Sequence, residues 1–307
     1  MSESRYVTGL VSIVIPTYNQ SEFLRQAIDC IINQTYGYWE AIVVNNFSTD
    51  ETISVVEGFN DRRVSLINFS NDGVIARSRN LAISRACGEF VAFLDSDDLW
   101  EPTKLERSVE RLNSGADLVC HAERWFGGDH PDRIVQYGPA SRATYDSLLL
   151  NGNCISTSAT VVRHAVLADL GGFRDHHAFI TTEDYDLWLR IARAGFKLEF
   201  IDDVLGSFRR HQASASSAPM RHLHAELAII EDHFQANSPR LDPSRRSRTA
   251  LAYYAAGRAC TRGGFTREGF ELFLKSLKLN PRRLRAWVGL IVHLAASSRR
   301  RTVGASS

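Results

Sequence analysis

The chain has 307 residues, 44% hydrophobic and 23% charged, which excludes a disordered chain and allows one full core with a smaller appendage. Five cysteines, none close to another, exclude zinc-type spacing and a closed disulfide framework and point to a reducing cytosol. The net charge of +1 hides an asymmetry: residues 1–239 carry 21 Lys and Arg against 32 Asp and Glu, and residues 240–307 carry 15 against 3, so two modules with different partners are expected.

Met1 to Gly9 is too polar and short for a signal peptide. Val11 to Ile15 is a β-branched run that reads as a buried parallel strand ending at Pro16. Ser21 is positioned to cap the next helix, in which Phe23, Leu24, Ala27, Ile28, Ile31 and Ile32 recur at helical spacing. Ala41 to Val44 reads as a second strand, followed by the polar loop from Asn45 to Asp50 and a helix from Thr52 to Phe59. Val64 to Phe69 and Phe90 to Leu94 read as further strands, separated by a helix from Ala76 to Ala86. Strands alternating with helices imply a parallel, doubly wound sheet, and ligands bind such sheets beyond the carboxyl ends of the strands. Three polar clusters sit at those ends and are expected to converge: Pro16 to Asn19, Asn45 with Asn46, and Asp95 to Asp98.

The stretch from Gly115 to Gly206 is less regular and is expected to complete the sheet and carry an acceptor side. Ser214 to Pro219 is a small-residue break. A helix follows from His222 to about Ala236, then a helical hairpin over 249–279 that resembles one tetratricopeptide unit and ends in Leu279-Asn280-Pro281. The apolar run from Ala286 to Ala296 is too short to cross a bilayer. The expected organisation is a catalytic portion over 1–215, a basic helical region over 220–295 and a basic flexible tail over 297–307.

Three carboxylates within Asp95-Ser96-Asp97-Asp98, directly after an apolar strand, repel one another when desolvated, and a hard divalent cation resolves the repulsion. Taken alone, a solvated Asp-rich turn is an equal reading; the strand-end position favours the metal.

With its neighbours, the cluster becomes specific. Val11 to Asn19, Gln34-Thr35, Val43-Val44 with Ser48-Thr49-Asp50, Ala76 to Asn80, Gly88-Glu89 with Phe93 to Asp98, and Glu183 to Leu189 follow in one order. In this the chain resembles a family 2 glycosyltransferase of the inverting kind with the GT-A fold, over residues 11–211. The resemblance implies a Rossmann-like, doubly wound mixed sheet carrying a small helical appendage. It implies transfer of a sugar from a nucleotide-diphosphate donor, UDP favoured, to a hydroxyl of a glycan or lipid-linked glycan. Carried over, Asp95 and Asp97 hold Mg²⁺ or Mn²⁺ on the donor diphosphate, with Ser96 beside them and Asp98 in support. Pro16, Thr17 and Tyr18 line the nucleoside pocket, Arg79 steadies uracil or diphosphate, and His211 stands where some members place a metal-binding histidine. Asp184 is the general base and Glu183 positions it or the acceptor; helix N-terminal charge is what those two residues suggest without the resemblance. The family's paired aspartates after the second strand are here Asn45 and Asn46, and the Asn46 amide can still accept from uracil N3–H.

Arg77 reads as a solvated arginine, Trp188 as core, and the adjacent His176 and His177 as loop residues. A sugar-nucleotide-forming nucleotidyltransferase is a rival reading, but Pro16 to Gln20 lacks the Gly-rich, basic loop it needs; a decayed binding module is a third. The basic C-terminal region has no recognised nucleic-acid motif. Leu284, Trp287, Val288, Leu290, Ile291 and Leu294, flanked by Arg282, Arg283 and Arg285 and by Arg299 to Arg301, can form an amphipathic face for an anionic membrane surface. That reading places the chain in the cytoplasm, peripheral on the inner face of the plasma membrane. Equally, the basic face can dock on the acidic catalytic portion.

Overall fold

A computed structural model describes residues 6–128, 131–211, 218–235 and 243–303. The chain folds into two compact units, the first of Met1–Tyr145, Asn153–His177 and Glu183–Ser214, the second of Asp146–Gly152, Ala178–Thr182 and Ala215–Ser307.

The first unit opens with β1 (Val7–Thr17), α1 (Ser21–Ile32), β2 (Trp39–Asn45), α2 (Thr52–Gly58), β3 (Val64–Asn68), α3 (Ile75–Arg85) and β4 (Gly88–Phe93). These four strands are parallel in the order β3-β2-β1-β4, as the strand–helix alternation requires. Val11, Ile13 and Ile15 of β1 and Phe90 and Ala92 of β4 are buried with Leu24, Ala27, Ile28 and Ile31 of α1, so the helix lays its apolar stripe on one sheet face. Ser21 is the first helical residue rather than a cap: its N–H donates to Asp50 Oδ2 at 2.8 Å, so the carboxylate that satisfies the helix start comes from the loop after β2.

Beyond β4 the sheet turns mixed. β5 (Leu99–Trp100), α4 (Lys104–Asn113), β6 (Leu118–Phe126), β7 (Arg133–Val135), β8 (Thr160–Arg163), α6 (His164–Leu170), α7 (Glu183–Arg193) and β9 (Leu198–Arg209) complete the unit, with α5 (Tyr145–Asn151) falling mainly in the second. β8 inserts antiparallel between β4 and β6, and β6 pairs with β9 in parallel and with β7 antiparallel. The wholly parallel sheet expected from strand–helix alternation is therefore corrected to a mixed one, the form the family resemblance implies. Trp188 is fully buried and packs with Phe93 and Phe173 as a core residue.

In the second unit α8 (Pro219–Gln235), α9 (Pro243–Arg262), α10 (Thr266–Leu279) and α11 (Leu284–Val303) are consecutive helices. Phe273 and Leu277 of α10 pack against Ala286 and Leu290 of α11. Leu290 therefore belongs to the inner face of α11, not to the exposed apolar face in which the sequence places it. The helix runs to Val303, so residues 297–303 are helical where a loose tail is expected. Most of the small-residue break from Ser214 to Pro219, and residues 304–307, lie outside the described residues.

Candidate active site

The site is assembled from loops at the carboxyl ends of β1, β2 and β4, which are stapled together by side chains. Asn19 takes a left-handed conformation (φ 50°) and its Oδ1 accepts the Thr49 N–H at 2.7 Å, while its own N–H donates to Ser48 Oγ at 2.9 Å. Ser96 Oγ donates to Gln20 Oε1 at 2.6 Å, tying the acidic loop to the loop after β1. Asn45 is fully buried; its Nδ2 donates to Asn68 and its Oδ1 accepts the Ser48 N–H. Asn46 Oδ1 accepts the Asn71 N–H at 3.0 Å, so one of its two lone pairs holds the neighbouring loop and one remains for a ligand. Pro16 and Thr17 are buried at the end of β1, and Thr17 Oγ1 has no hydrogen-bond partner. Tyr18 is 55% exposed and Phe47 60%, so two aromatic side chains stand open at these strand ends.

The acidic cluster divides by role. Asp95 accepts from Arg79 Nη2 at 2.6 Å, and its N–H donates to Ser158 Oγ. Asp97 Oδ2 lies 2.8 Å from His211 Nε2, and the Phe23 ring packs beside the imidazole. Asp98 is buried and accepts the Arg209 N–H at 2.9 Å, which fastens the loop to the end of β9. Burial, and then the repulsion of Asp95, pushes the Asp97 carboxyl above its ordinary range, with His211 opposing. Burial and the neighbouring Asp97 raise Asp98 further. Raised carboxyls packed together are the electrostatic condition that a bound cation relieves.

Arg79, expected to steady uracil or diphosphate, bridges two carboxylates. Its side chain is 4% exposed and donates at 2.6 Å to Asp95 and at 2.6 Å to Glu183, 104 residues further along the chain. Burial disfavours its charge, but the two carboxylates more than reverse that and hold it protonated. Glu183, in turn, is pushed up by burial and held back by Arg79. The family-matching segment that ends at Asn80 meets the turn at Phe173. Asn80 Nδ2 donates to the Phe173 carbonyl and its Oδ1 accepts the Phe173 N–H. Gly172 lies beside it at φ 69°, where a Cβ would come within 2.6 Å of Asn80 Oδ1, so this turn requires glycine.

Asp184 is half-buried at the start of α7. Its Oδ2 accepts from Thr157 Oγ1 at 2.8 Å and its Oδ1 from the Tyr185 N–H at 2.7 Å. It lines a cleft of about 270 Å³ with Asp95, Asp98, Trp125, Tyr137, Asn153, Thr157, Ser158 and Phe208. The structure thus gathers Asp95, Asp98 and Asp184 around one opening, and Glu183 behind it through Arg79. It pairs Asp97 with His211 and ties Asp95 elsewhere, so the three expected metal ligands do not form one cluster; no group of three such ligands occurs among the described residues. Arg77 is a surface residue paired with Asp72 and Asp175. Trp125 and Tyr137 stand singly, and Thr157 and Ser158 adjoin, in a stretch without periodicity, so no regular pattern marks any of them. The only signal that could have found Thr157 and Ser158 is their place in the polar run Ser156-Thr157-Ser158 just before β8.

The sequence profile of glycosyl transferase family 2 matches residues 12–171. The chain is similar to the UDP-Glc:alpha-D-GlcNAc-diphosphoundecaprenol beta-1,3-glucosyltransferase WfgD of Escherichia coli, with 30% identity over 231 residues, 73% of this chain and 86% of that protein. It is also similar to the putative teichuronic acid biosynthesis glycosyltransferase TuaG of Bacillus subtilis, with 28% identity over 213 residues, 68% of this chain and 82% of the relative. Among solved structures, S. aureus TarS 1–349 in complex with UDP-GlcNAc shares the fold at a TM-score of 0.66 and 18% identity, covering 95% of this chain and 92% of that one. The mannosyltransferase PcManGT from Pyrobaculum calidifontis, in complex with GDP-Man and Mn²⁺, does so at a TM-score of 0.59 and 18% identity, covering 94% and 86%.

Proposed function

The chain belongs to glycosyl transferase family 2 and is a glycosyltransferase, and from that premise we propose that it transfers a sugar with inversion from a UDP-sugar to a hydroxyl of a lipid-linked glycan, with Asp184 as base. The observation that carries this reading is the meeting of Asp95 and Asp184 in one cleft. A donor diphosphate at the acidic loop then lies beside the only step that needs a base. The acceptor oxygen attacks the anomeric carbon, its proton passes to Asp184, and the bond from that carbon to the diphosphate oxygen breaks. No second carboxylate is required as acid, because the diphosphate leaves as a stabilised anion.

Asp97 and His211 are the residues that would hold a divalent cation, and the fit is chemical. Mg²⁺ and Mn²⁺ are commonly bound by one or two protein groups plus the substrate's phosphates, and the raised Asp97 and Asp98 carboxyls favour a cation nearby. Bound there, such an ion supplies charge neutralisation to the departing diphosphate. Tyr18, Phe47 and Asn46 supply ring faces and an amide for the nucleobase. The similar protein from E. coli is named for a UDP-Glc donor and a diphosphoundecaprenol-linked acceptor, which supports both halves of the reading. Calorimetric titration with UDP tests it: binding that requires Mn²⁺ or Mg²⁺ is expected, and nucleotide binding indifferent to metal overturns the donor site.

A lipid-linked acceptor calls for a membrane surface, and α11 offers one. Among the described residues no helix is long and apolar enough to cross a membrane. Ala286, Leu290 and His293 face inward, whereas Leu284, Trp287, Val288, Ile291 and Val292, spaced i, i+3, i+4, i+7 and i+8, are exposed. No acidic residue follows Glu271, while eight Lys and Arg do. An apolar face in a purely basic segment suits an anionic bilayer interface. The variant Val288→Glu with Ile291→Glu is expected to lose co-sedimentation with phosphatidylglycerol vesicles and to keep its thermal stability, since neither side chain is in the core. Undiminished vesicle binding would remove α11 from this role.

A further inference from the structure

Behind the cleft stands a carboxylate that the transfer step does not use. Glu123, on β6, is buried, and its Oε2 accepts from Tyr137 Oη at 2.7 Å. The Ser156 hydroxyl is its second hydrogen-bond partner. Tyr137 and Ser156 both line the cleft with Asp184, and Thr157, next to Ser156, donates to Asp184 Oδ2. One buried carboxylate therefore holds two hydroxyls in the same lining as the base.

Charges reach Glu123 from several sides. Asp95 and Asp98, after β4, repel it, and Lys104 of α4 attracts it. Lys104 is buried over the Trp100 ring, 3.4 Å from its centre, and its Nζ makes no hydrogen bond among the described residues, so the two charges are not in contact. Burial also pushes the Lys104 amine well down. Tyr137 faces Glu123 from beyond β7, and Cys120 and His121 lie on β6 itself. On β9 its register partner is Gly206, which carries no charge. Burial outweighs the rest and raises the Glu123 carboxyl to about 7.

Hydrogen-bond capacity then sets the direction of each bond. An ionised carboxylate only accepts, so Tyr137 and Ser156 turn their hydrogens toward it. Tyr137 Oη has two acceptor positions; Trp125 Nε1–H fills one at 3.1 Å, and the other is unfilled among the described residues. A protonated Glu123 must donate to one of the two hydroxyls, which then turns its own hydrogen elsewhere. We propose that Glu123 is a positioning residue for the acceptor: it holds Tyr137 Oη as a hydrogen-bond acceptor in the cleft of Asp184, where that oxygen receives a sugar hydroxyl that does not react. The inference rests on Asp184 marking the acceptor side. It adds a residue behind the cleft that sets which way the cleft's hydrogen bonds run.

Steady-state transfer by the full-length enzyme, with Mn²⁺, UDP-Glc and octyl-diphosphate-linked N-acetylglucosamine as probe, tests it across the Glu123 value of about 7. The wild-type KM for the probe is expected to rise about tenfold as pH falls through that value, the scale of one hydrogen bond, with the KM for UDP-Glc unchanged. Glu123→Gln keeps the side chain's shape and cannot ionise. It has the raised probe KM at every pH, with kcat within a few-fold of wild type. Tyr137→Phe keeps the ring, raises the probe KM above pH 7 and flattens the same rise. A pH-dependent rise that survives in Glu123→Gln, one that appears in kcat instead of the probe KM, or an unchanged probe KM in both variants overturns the positioning role. Wild-type turnover separates the two levels: with it, any such failure belongs to Glu123 alone, and without it the transfer reading beneath the inference falls as well.

Discussion

Asp184→Asn is expected to lower turnover by about 10²- to 10⁴-fold, the contribution of a positioned general base, while nucleotide affinity is unchanged. Asparagine has the same shape and preserves the local bonds. Its Oδ1 still accepts the Tyr185 N–H, and its Nδ2 donates to the Thr157 hydroxyl, which rotates to accept. Helix α7 therefore keeps its start, and the loss isolates proton transfer. Nucleotide release in the presence of acceptor measures the first effect and UDP calorimetry the second. Residual turnover within a few-fold of wild type would take the base role away from Asp184.

Arg79→Met is expected to cost about 3–5 kcal/mol of stability, because it leaves Asp95 and Glu183 buried or half-buried without a counter-charge. The penalty depends on pH. Burial already raises the Glu183 carboxyl above its ordinary 4.5, and loss of the guanidinium raises it further. A group whose folded pKa is raised contributes stability that is complete below its unfolded pKa and is lost as pH rises through the folded value. The Arg79→Met penalty is thus smallest below about pH 4.5 and grows as pH rises above it. Urea denaturation at several pH values reads this directly. In a double-mutant cycle, Glu183→Gln recovers part of the loss, since a neutral amide needs no counter-charge. A change under about 1 kcal/mol, or additive single variants, would show that the bridge holds nothing together.

What the sequence discloses follows from how local each signal is. The parallel strands β1, β2 and β4 carry largely apolar, buried runs, and a polar cluster begins where each run ends, so strand ends and cluster are read together. Asp95 to Asp98 is legible because its four residues are contiguous. The pairings that give those residues their roles are not. Arg79 meets Glu183 across 104 positions and Asp97 meets His211 across 114, and no pattern within either segment encodes the partner. The family resemblance supplied residue types and expected roles, and it gave no sign that Arg79 bridges Asp95 and Glu183. The cap on α1 failed for the same reason: Ser21 has the right chemistry, but Asp50 reaches the helix start from another loop.

Antiparallel β8 is four residues long and carries no alternation that would distinguish it from the parallel strands beside it, so the mixed half of the sheet was legible only through the resemblance. In α11 the apolar positions are all readable, but which of them face inward depends on Phe273 in a different helix. Trp125 gains meaning only from register, since β6, β7 and β9 bring it beside Phe208 and Arg133.

In the proposed reaction a metal-dependent diphosphate site at Asp97 serves the cleft that Asp95 lines with the base Asp184. Titration of UDP with Mn²⁺ into the wild type, Asp97→Asn and Asp184→Asn side by side tests it most directly. Metal-dependent binding is expected in the wild type, its loss in Asp97→Asn, and wild-type affinity in Asp184→Asn. Equal affinity in Asp97→Asn, or loss in Asp184→Asn, would contradict it.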